Sequence, residues 1–217
     1  DMVNAGEADI LMKGLCSTDK YMRGILNKEK GLLPPKAVLS HVCVVQNPGY
    51  HKLLVISDIA VIPAPDLKQK QAMIGYVANT ARALGVEKPK VAMITATEQM
   101  LPGMPACVEA AMLAKMVDRG QIKGCIADGP LALDVAVSKE AVEIKGLHSE
   151  VAGDADCLLF PNIESANVFY KTNSMLAKDV KQAGMMVGAK VPCVLSSRAD
   201  SIDTKLNSIA IAAMSVK

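Results

Sequence analysis

The chain has 217 residues, 51% of them apolar but only 3% aromatic, and a formal net charge of +2. That balance argues against a nucleic-acid binder, which would show a Lys/Arg stripe interleaved with aromatics. It fits a layered α/β protein packed by Ala, Val, Ile, Leu and Met rather than a secreted β-sandwich.

Short apolar runs alternate with stretches of helical period, the pattern of βαβ units and a largely parallel sheet. The first residues, from Asp1 to Glu7, read like the middle of a helix. Residues 8–13 read as a strand closed by Gly14, and a helix follows from Thr18 to about Lys28. Residues 37–45 and 52–57 are strand candidates separated by the turn Asn47-Pro48-Gly49. The proline-marked segment 61–65 sets a domain boundary. Asp66 then N-caps a helix to Leu84, with Met73, Ile74, Val77 and Ala81 on one face and Gly85 as its stop. A strand at 91–94, a helix at 105–118 and a strand at 122–127 come next, the last ending at Asp128-Gly129-Pro130. A strand at 156–160 precedes a helix from about Ser165 to Lys181. Two apolar runs, 183–189 and 191–195, lead to Ser196-Ser197-Arg198, and Ser201 N-caps the final helix.

Six cysteines without C-x-x-C spacing, no signal peptide and no apolar run of the roughly 18–20 residues a membrane span needs give the expectation of a soluble cytoplasmic protein with reduced thiols. With three histidines and no P-loop, G-x-G-x-x-G or H-E-x-x-H, no metal site is expected, and His148 is placed in a surface loop.

Ligands of open parallel sheets bind beyond the carboxyl ends of the strands, and polar residues collect at three such ends. The first runs from Met12 to Thr18. Its glycine turn and two hydroxyls at a helix start offer free backbone N–H groups and the positive end of a helix dipole. Ser17 and Thr18, with Lys13 before the turn and Arg23 within the helix, could hold a phosphate; an ordinary N-cap with solvated charges would carry the same residues. The second runs from Ser196 to Lys205, where hydroxyls, Arg198, Asp200 and Asp203 crowd the exit of an apolar strand. There Arg can clamp a phosphate, a hydroxyl can donate to a developing oxyanion and a carboxylate can accept a thiol proton. A capped helix start with surface charges is the competing account. The third is Asp128-Gly129-Pro130, followed by Asp134. Its carboxylate could orient a ligand, but the tripeptide is also a strong turn signal.

Several segments in order, Ile126 to Asp134, Lys145 to Ser149, Val151 to Asp156, Asn167 with Tyr170-Lys171, Ala183-Gly184, Val187 to Pro192 and Ser197 to Ser201, resemble the phosphate acetyl/butyryltransferase family and are closest to its butyryltransferase branch. Upstream, Leu11 to Gly14, Ser57-Asp58 and Pro63 to Asp66 continue the resemblance.

The resemblance implies a two-domain α/β fold like that of isocitrate and isopropylmalate dehydrogenases, with mostly parallel sheets flanked by helices and the active site between domains. Residues 1–60 and 186–217 would form the first domain, and 61–185 the second, carrying a dimer interface. Such proteins move an acyl group between coenzyme A and inorganic phosphate without a tightly bound cofactor, phosphate attacking the acyl-CoA carbonyl directly. Butyryl or a similar short chain is the expected acyl group. Small-molecule substrates and a homodimer or higher homo-oligomer are expected, with no nucleic acid or membrane partner.

By the same resemblance, Ser197 and Arg198 contact the reacting groups, while Ser17, Thr18 and Arg23 contact phosphate; Lys13 joins them from its place before the turn. Asp128 and Gly129 line the CoA or acyl pocket. The acetyltransferases place the thiol base seven residues beyond the Ser of Ser-Arg, a position held here by Thr204. Asp203, one residue earlier, is assigned as base, with Asp200 as the other choice. The family also carries an additional N-terminal segment, so an exposed sheet edge, lowered activity or a need for oligomer contacts is expected here. The alternative is a non-catalytic acyl-CoA-sensing regulatory domain of the same fold.

Overall fold

The computed structural model describes residues 1–195 and 200–216. Helix α1 (Met2–Ala5) and strand β1 (Leu11–Met12) lead into α2 (Thr18–Ile25), β2 (Ser40–Gln46), β3 (Leu53–Ser57) and α3 (Leu67–Ala83). Then follow β4 (Lys90–Ile94), α4 (Pro105–Asp118), β5 (Ile126–Leu131), α5 (Leu133–Val137) and α6 (Lys139–Lys145). The chain finishes with β6 (Cys157–Leu159), α7 (Ile163–Leu176), β7 (Lys181–Val187), β8 (Cys193–Val194) and α8 (Ile202–Met214). Among the described residues, no helix is long and apolar enough to cross a membrane.

The eight strands form one sheet in the order β1-β8-β7-β2-β3-β6-β4-β5. Parallel pairs occupy both ends, β1 with β8 and β3 through β6 and β4 to β5, while β2, β3, β7 and β8 join antiparallel between them. Helices cover both faces, which is why the middle of the central strands, such as Val42 to Val45 of β2, is apolar on both sides. In β2, Val42 and Val44 pack with Met73, Ile74, Val77, Leu113 and Ile211 of α3, α4 and α8. Their neighbours Cys43 and Val45 face the other way, onto Ile56, Leu158, Ala166 and Tyr170. Truncating a fully buried side chain such as Ile56 to Ala would cost about 2–5 kcal/mol.

Local signals explain most boundaries. Asp66 and Gln69 form a reciprocal capping box at the start of α3, with bonds of 2.7 and 2.8 Å. Ser201 Oγ accepts the Thr204 N–H at 3.1 Å and starts α8. The strand expected at 122–127 lies later: Ile122 is buried but the ladder begins at Ile126 and runs through Asp128-Gly129-Pro130, so this tripeptide is strand rather than turn. Proline is tolerated there because β5 is an edge strand.

The helix expected to reach Lys181 starts earlier, under an Asn162 cap, and stops at Leu176. Asp179, in left-handed backbone at φ 57°, lies between it and Lys181, which pairs with Gln46 as β7 begins. Helix α1 falls within the stretch from Asp1 to Glu7 that reads as helical, whereas α5 and α6 were not anticipated as elements, being too short for periodicity to reveal. His148 is exposed, as expected, and all six cysteines are free, with only Cys16 exposed.

Candidate active site

Because β1 and β8 are parallel neighbours, their carboxyl ends leave the sheet side by side. Tyr21 of α2 holds that arrangement: its hydroxyl lies 3.1 Å from the carbonyls of both Leu11 and Val194, sharing its hydrogen between the two strands. Burial pushes the Tyr21 phenol well above its ordinary value, so it stays a neutral donor. The helix start at Ser17-Thr18 is thereby fixed beside the chain that leaves β8.

Beyond these strand ends lies a cavity of about 270 Å³. Thr18 lines it from α2, His41 from β2, Gly184 from β7, and Asn167, Tyr170 and Lys171 from α7. Ile59 and Ala60 close one side, and Leu195, Asp200, Thr204 and Ser208 another. Larger hollows exist, including one of about 580 Å³ beside Tyr76, Asn79 and Lys190, but none of the predicted site residues lines it. The smaller cavity is the one on which two of the polar strand ends converge.

A buried polar assembly holds the His41, Ile59 and Ala60 part of the lining. Asp58, 2% exposed, accepts four hydrogen bonds at 2.8–3.0 Å: Ser40 Oγ and the His41 N–H on one oxygen, the Ala60 and Val61 N–H groups on the other. This fixes both the start of β2 and the loop carrying Ile59 and Ala60. Asn167 donates to the Ile59 carbonyl at 3.1 Å and ties α7 to the same loop. Because β8 meets β7 only at Cys193 and Met186, the N–H of Gly184 is taken instead by Ser208 Oγ of α8, at 3.0 Å. Burial pulls the His41 imidazole below its ordinary value, while the Asp58 and Asp200 carboxylates push the other way.

The predicted residues divide clearly. Thr18 lines the cavity, whereas the Ser17 hydroxyl is used as the helix cap, accepting from Lys20 N–H at 3.3 Å. Arg23 points to solvent and pairs with Asp19 at 3.1 Å; Lys13 is buried with its ammonium 3.3 Å from the Gly14 carbonyl; neither lines the cavity. Ser197 and Arg198 lie outside the described residues, but Leu195 and Asp200 on either side of that segment both line the cavity. Asp203 is exposed in the first turn of α8 and away from the lining, while Asp200 is on it.

Asp128 and Gly129 stand on β5, five strands from β7, about 24 Å at the usual strand spacing. There Gly129 is a packing position, since a Cβ would meet Met93 Cβ at 2.7 Å and Ala110 Cβ at 3.2 Å. His41 and Ser208 carried no local signal in the sequence, and Asp58 entered only through the Ser57-Asp58 part of the family resemblance. Among the described residues, no three His, Cys, Asp or Glu side chains gather in a way that could hold a metal ion.

Comparison with known proteins gives this geometry its context. The chain is 50% identical over 214 residues to the phosphate butyryltransferase of Clostridium acetobutylicum, covering 99% of this chain and 70% of that protein. It is 47% identical to the phosphate acetyltransferase of Thermotoga maritima, covering 99% and 72%. Among solved structures, a branched-chain phosphotransacylase from Enterococcus faecalis superposes with a TM-score of 0.90 at 34% identity, covering 99% of this chain and 76% of that one. A 4-hydroxythreonine-4-phosphate dehydrogenase from Klebsiella pneumoniae shares the fold alone, with a TM-score of 0.56 at 11% identity, covering 100% and 67%. The pattern that defines the phosphate acetyl/butaryl transferase family matches residues 1–213, and the chain belongs to that family.

Proposed function

We propose that the chain transfers a short acyl group, butyryl or similar, between coenzyme A and inorganic phosphate at the cavity beyond β1 and β8. The observation that carries this is the convergence of Thr18, after β1, and Asp200 and Thr204, after β8, on one small polar cavity with an apolar side. Acyl transfer needs such a combination: donors for phosphate, an apolar recess for the acyl chain and a carboxylate for the thiol proton. A phosphate oxygen attacks the thioester carbon, the tetrahedral oxyanion collapses, the C–S bond breaks and the phosphate's proton ends on sulfur. Asp200, which lines the cavity, is assigned to carry that proton in place of Asp203. Ser197 and Arg198 are assigned the oxyanion and phosphate contacts that the family resemblance gives them.

Coenzyme A and phosphate enter as substrates, so the proposal requires no resident cofactor. A division into two domains, 1–60 with 186–217 and 61–185, would put both parts on the cavity lining, with its later boundary falling inside β7 of the one sheet. Homo-oligomer formation through the second domain is supported by the exposed Val168, Met175 and Leu176. Free thiols and a coenzyme A substrate favour the cytoplasm. The relatives are named as transferases, which gives the sensing alternative no support.

The test is phosphate-dependent release of free thiol from acetyl-, butyryl- and isobutyryl-CoA. Release that requires phosphate supports the proposal, and the acyl-CoA with the highest kcat/KM identifies the chain preferred. Binding of acyl-CoA without release would favour a sensing domain.

A further inference from the structure

His41 is the one imidazole on the cavity wall, and its surroundings define its hydrogen bonding. Its Nδ1 lies 3.4 Å from Cys43 Sγ, two residues along β2 on the same face. Cys43 is 1% exposed, and burial holds its thiol well above its ordinary value, so the sulfur keeps its hydrogen. Where that hydrogen is given to Nδ1, the ring proton stands on Nε2. Among the described residues none bonds Nε2, and His41 lines the cavity, which makes Nε2 the ring nitrogen left to face it.

The ring is also held in place. The His41 N–H is bonded to Asp58 and its carbonyl accepts from Ser57 Oγ at 3.0 Å. Gly184 supplies a surface without a side chain for the ring to lie on. The result is a neutral N–H donor, pre-oriented in a recess bordered by Thr18 and Asp200.

We infer that His41 Nε2–H donates to the acyl carbonyl oxygen of the thioester and to the oxyanion formed when phosphate attacks it. This rests on the acyl-transfer assignment and adds a catalytic residue to it. As the phosphate oxygen bonds to the carbonyl carbon, the π pair moves onto oxygen in front of Nε2–H. When the C–S bond breaks, the pair leaves with sulfur and the carbonyl re-forms. The imidazole gives up no proton in either step, which separates its task from that of a carboxylate base.

The experiment uses the full chain with butyryl-CoA and phosphate. His41→Leu should lower kcat about 100-fold, the usual loss for an oxyanion donor, while His41→Gln, which keeps an N–H, should stay within about tenfold of wild type. KM for both substrates should change little, and thermal unfolding should show both variants folded. On wild-type protein with ¹⁵N-labelled imidazoles, His41 should show the Nε2–H tautomer, and that nitrogen should shift on saturation with butyryl-CoA. A His41→Leu enzyme with wild-type kcat, an Nδ1–H tautomer, or an Nε2 resonance unmoved by butyryl-CoA would overturn the inference alone. Wild-type protein without phosphate-dependent thiol release would remove the acyl-transfer assignment and the role of His41 with it.

Discussion

The His41 imidazole lies against Gly184 so closely that a Cβ on the glycine would stand 2.8 Å from Cε1 and 3.3 Å from Nε2. The same Cβ would come within 3.2 Å of Cys43 Sγ. The glycine is thus a matter of space, and it sets the height of the ring above β7.

Gly184→Ala should therefore tilt or lift the imidazole. Overpacking a well-filled interior costs about 1–3 kcal/mol. Activity should suffer more than stability, with kcat down by about tenfold or more, because oriented donors are sensitive to displacements near 1 Å. Thiol release and urea unfolding of the same preparation measure both. A folded Ala variant with wild-type kcat would show that ring height does not matter.

Asp58 is the structural anchor below the site. Replacing it by Asn swaps one acceptor oxygen for an NH₂ group, which must face either the Ala60 and Val61 amides or the His41 amide and Ser40 hydroxyl. At least one buried N–H then loses its acceptor, at a cost of about 1–3 kcal/mol. The urea midpoint of Asp58→Asn should fall accordingly with an unchanged m value. An unaltered midpoint would mean that the loop after β3 is held by other contacts.

Away from the site, Asp154 joins three strand starts. It pairs with His51 at 2.9 Å, Lys52 at 2.9 Å and Lys90 at 2.7 Å. Partial burial pushes its carboxyl upward, but the hydrogen bonds from Lys90, Lys52 and His51 more than reverse this and leave it well below the usual carboxylate range. A lowered folded pKa means that the unfolded chain takes up the proton first on acidification. The stabilisation is complete above the unfolded value of about 4 and fades as pH falls below it. Water reaches part of this network, so about 1 kcal/mol is a fair size. Wild type should exceed Asp154→Asn by that margin from about pH 5.5 to about 7, well above the ordinary carboxylate pKa. The two urea midpoints should draw together as pH falls below the unfolded value of about 4 and meet only near the lowered folded-state value. A constant gap across the acid range would contradict the role given to the carboxylate charge.

Fold class and most elements are legible in the sequence because local chemistry sets them. The Asp66-Gln69 cap, the apolar face of α3 and the Pro105 start of α4 require no knowledge of the partner strands. What tertiary context decides is harder to see. Asp128-Gly129-Pro130 has turn composition, and only its place at the sheet edge makes it strand. The strand-end rule picks out Thr18 and Asp200, but the adjacency of β1 and β8 that unites them has no local trace. His41 sits in an otherwise apolar run and would pass for a core residue. Its exposure to the cavity depends on Gly184, far along the chain. Arg23 shows the converse: spacing brings it to the phosphate-binding pattern, yet α2 turns it to solvent and to Asp19.

That contrast bears on the thiol base. Asp203 is one residue from the position where the acetyltransferase pattern has its carboxylate, but it stands exposed at the start of α8. Asp200 lines the cavity, and its charge is felt by His41, Cys43 and Tyr170. A proton carrier must come within hydrogen-bond reach of the sulfur, directly or through one water, so geometry favours Asp200. In the direction from acyl phosphate to acyl-CoA, where the thiol must lose its proton, Asp200→Asn should lower kcat by about 10²-fold or more, the usual worth of general-base catalysis. Asp203→Asn should stay within about threefold, as expected for a surface group, and any loss should appear as stability, because it removes an acidic group from the first turn of α8. Raising the pH toward the ordinary thiol pKa of about 8.5 should partly rescue Asp200→Asn, since more of the coenzyme is then already thiolate. The reverse ranking of the two variants, with rescue confined to Asp203→Asn, would return the role to the helix residue.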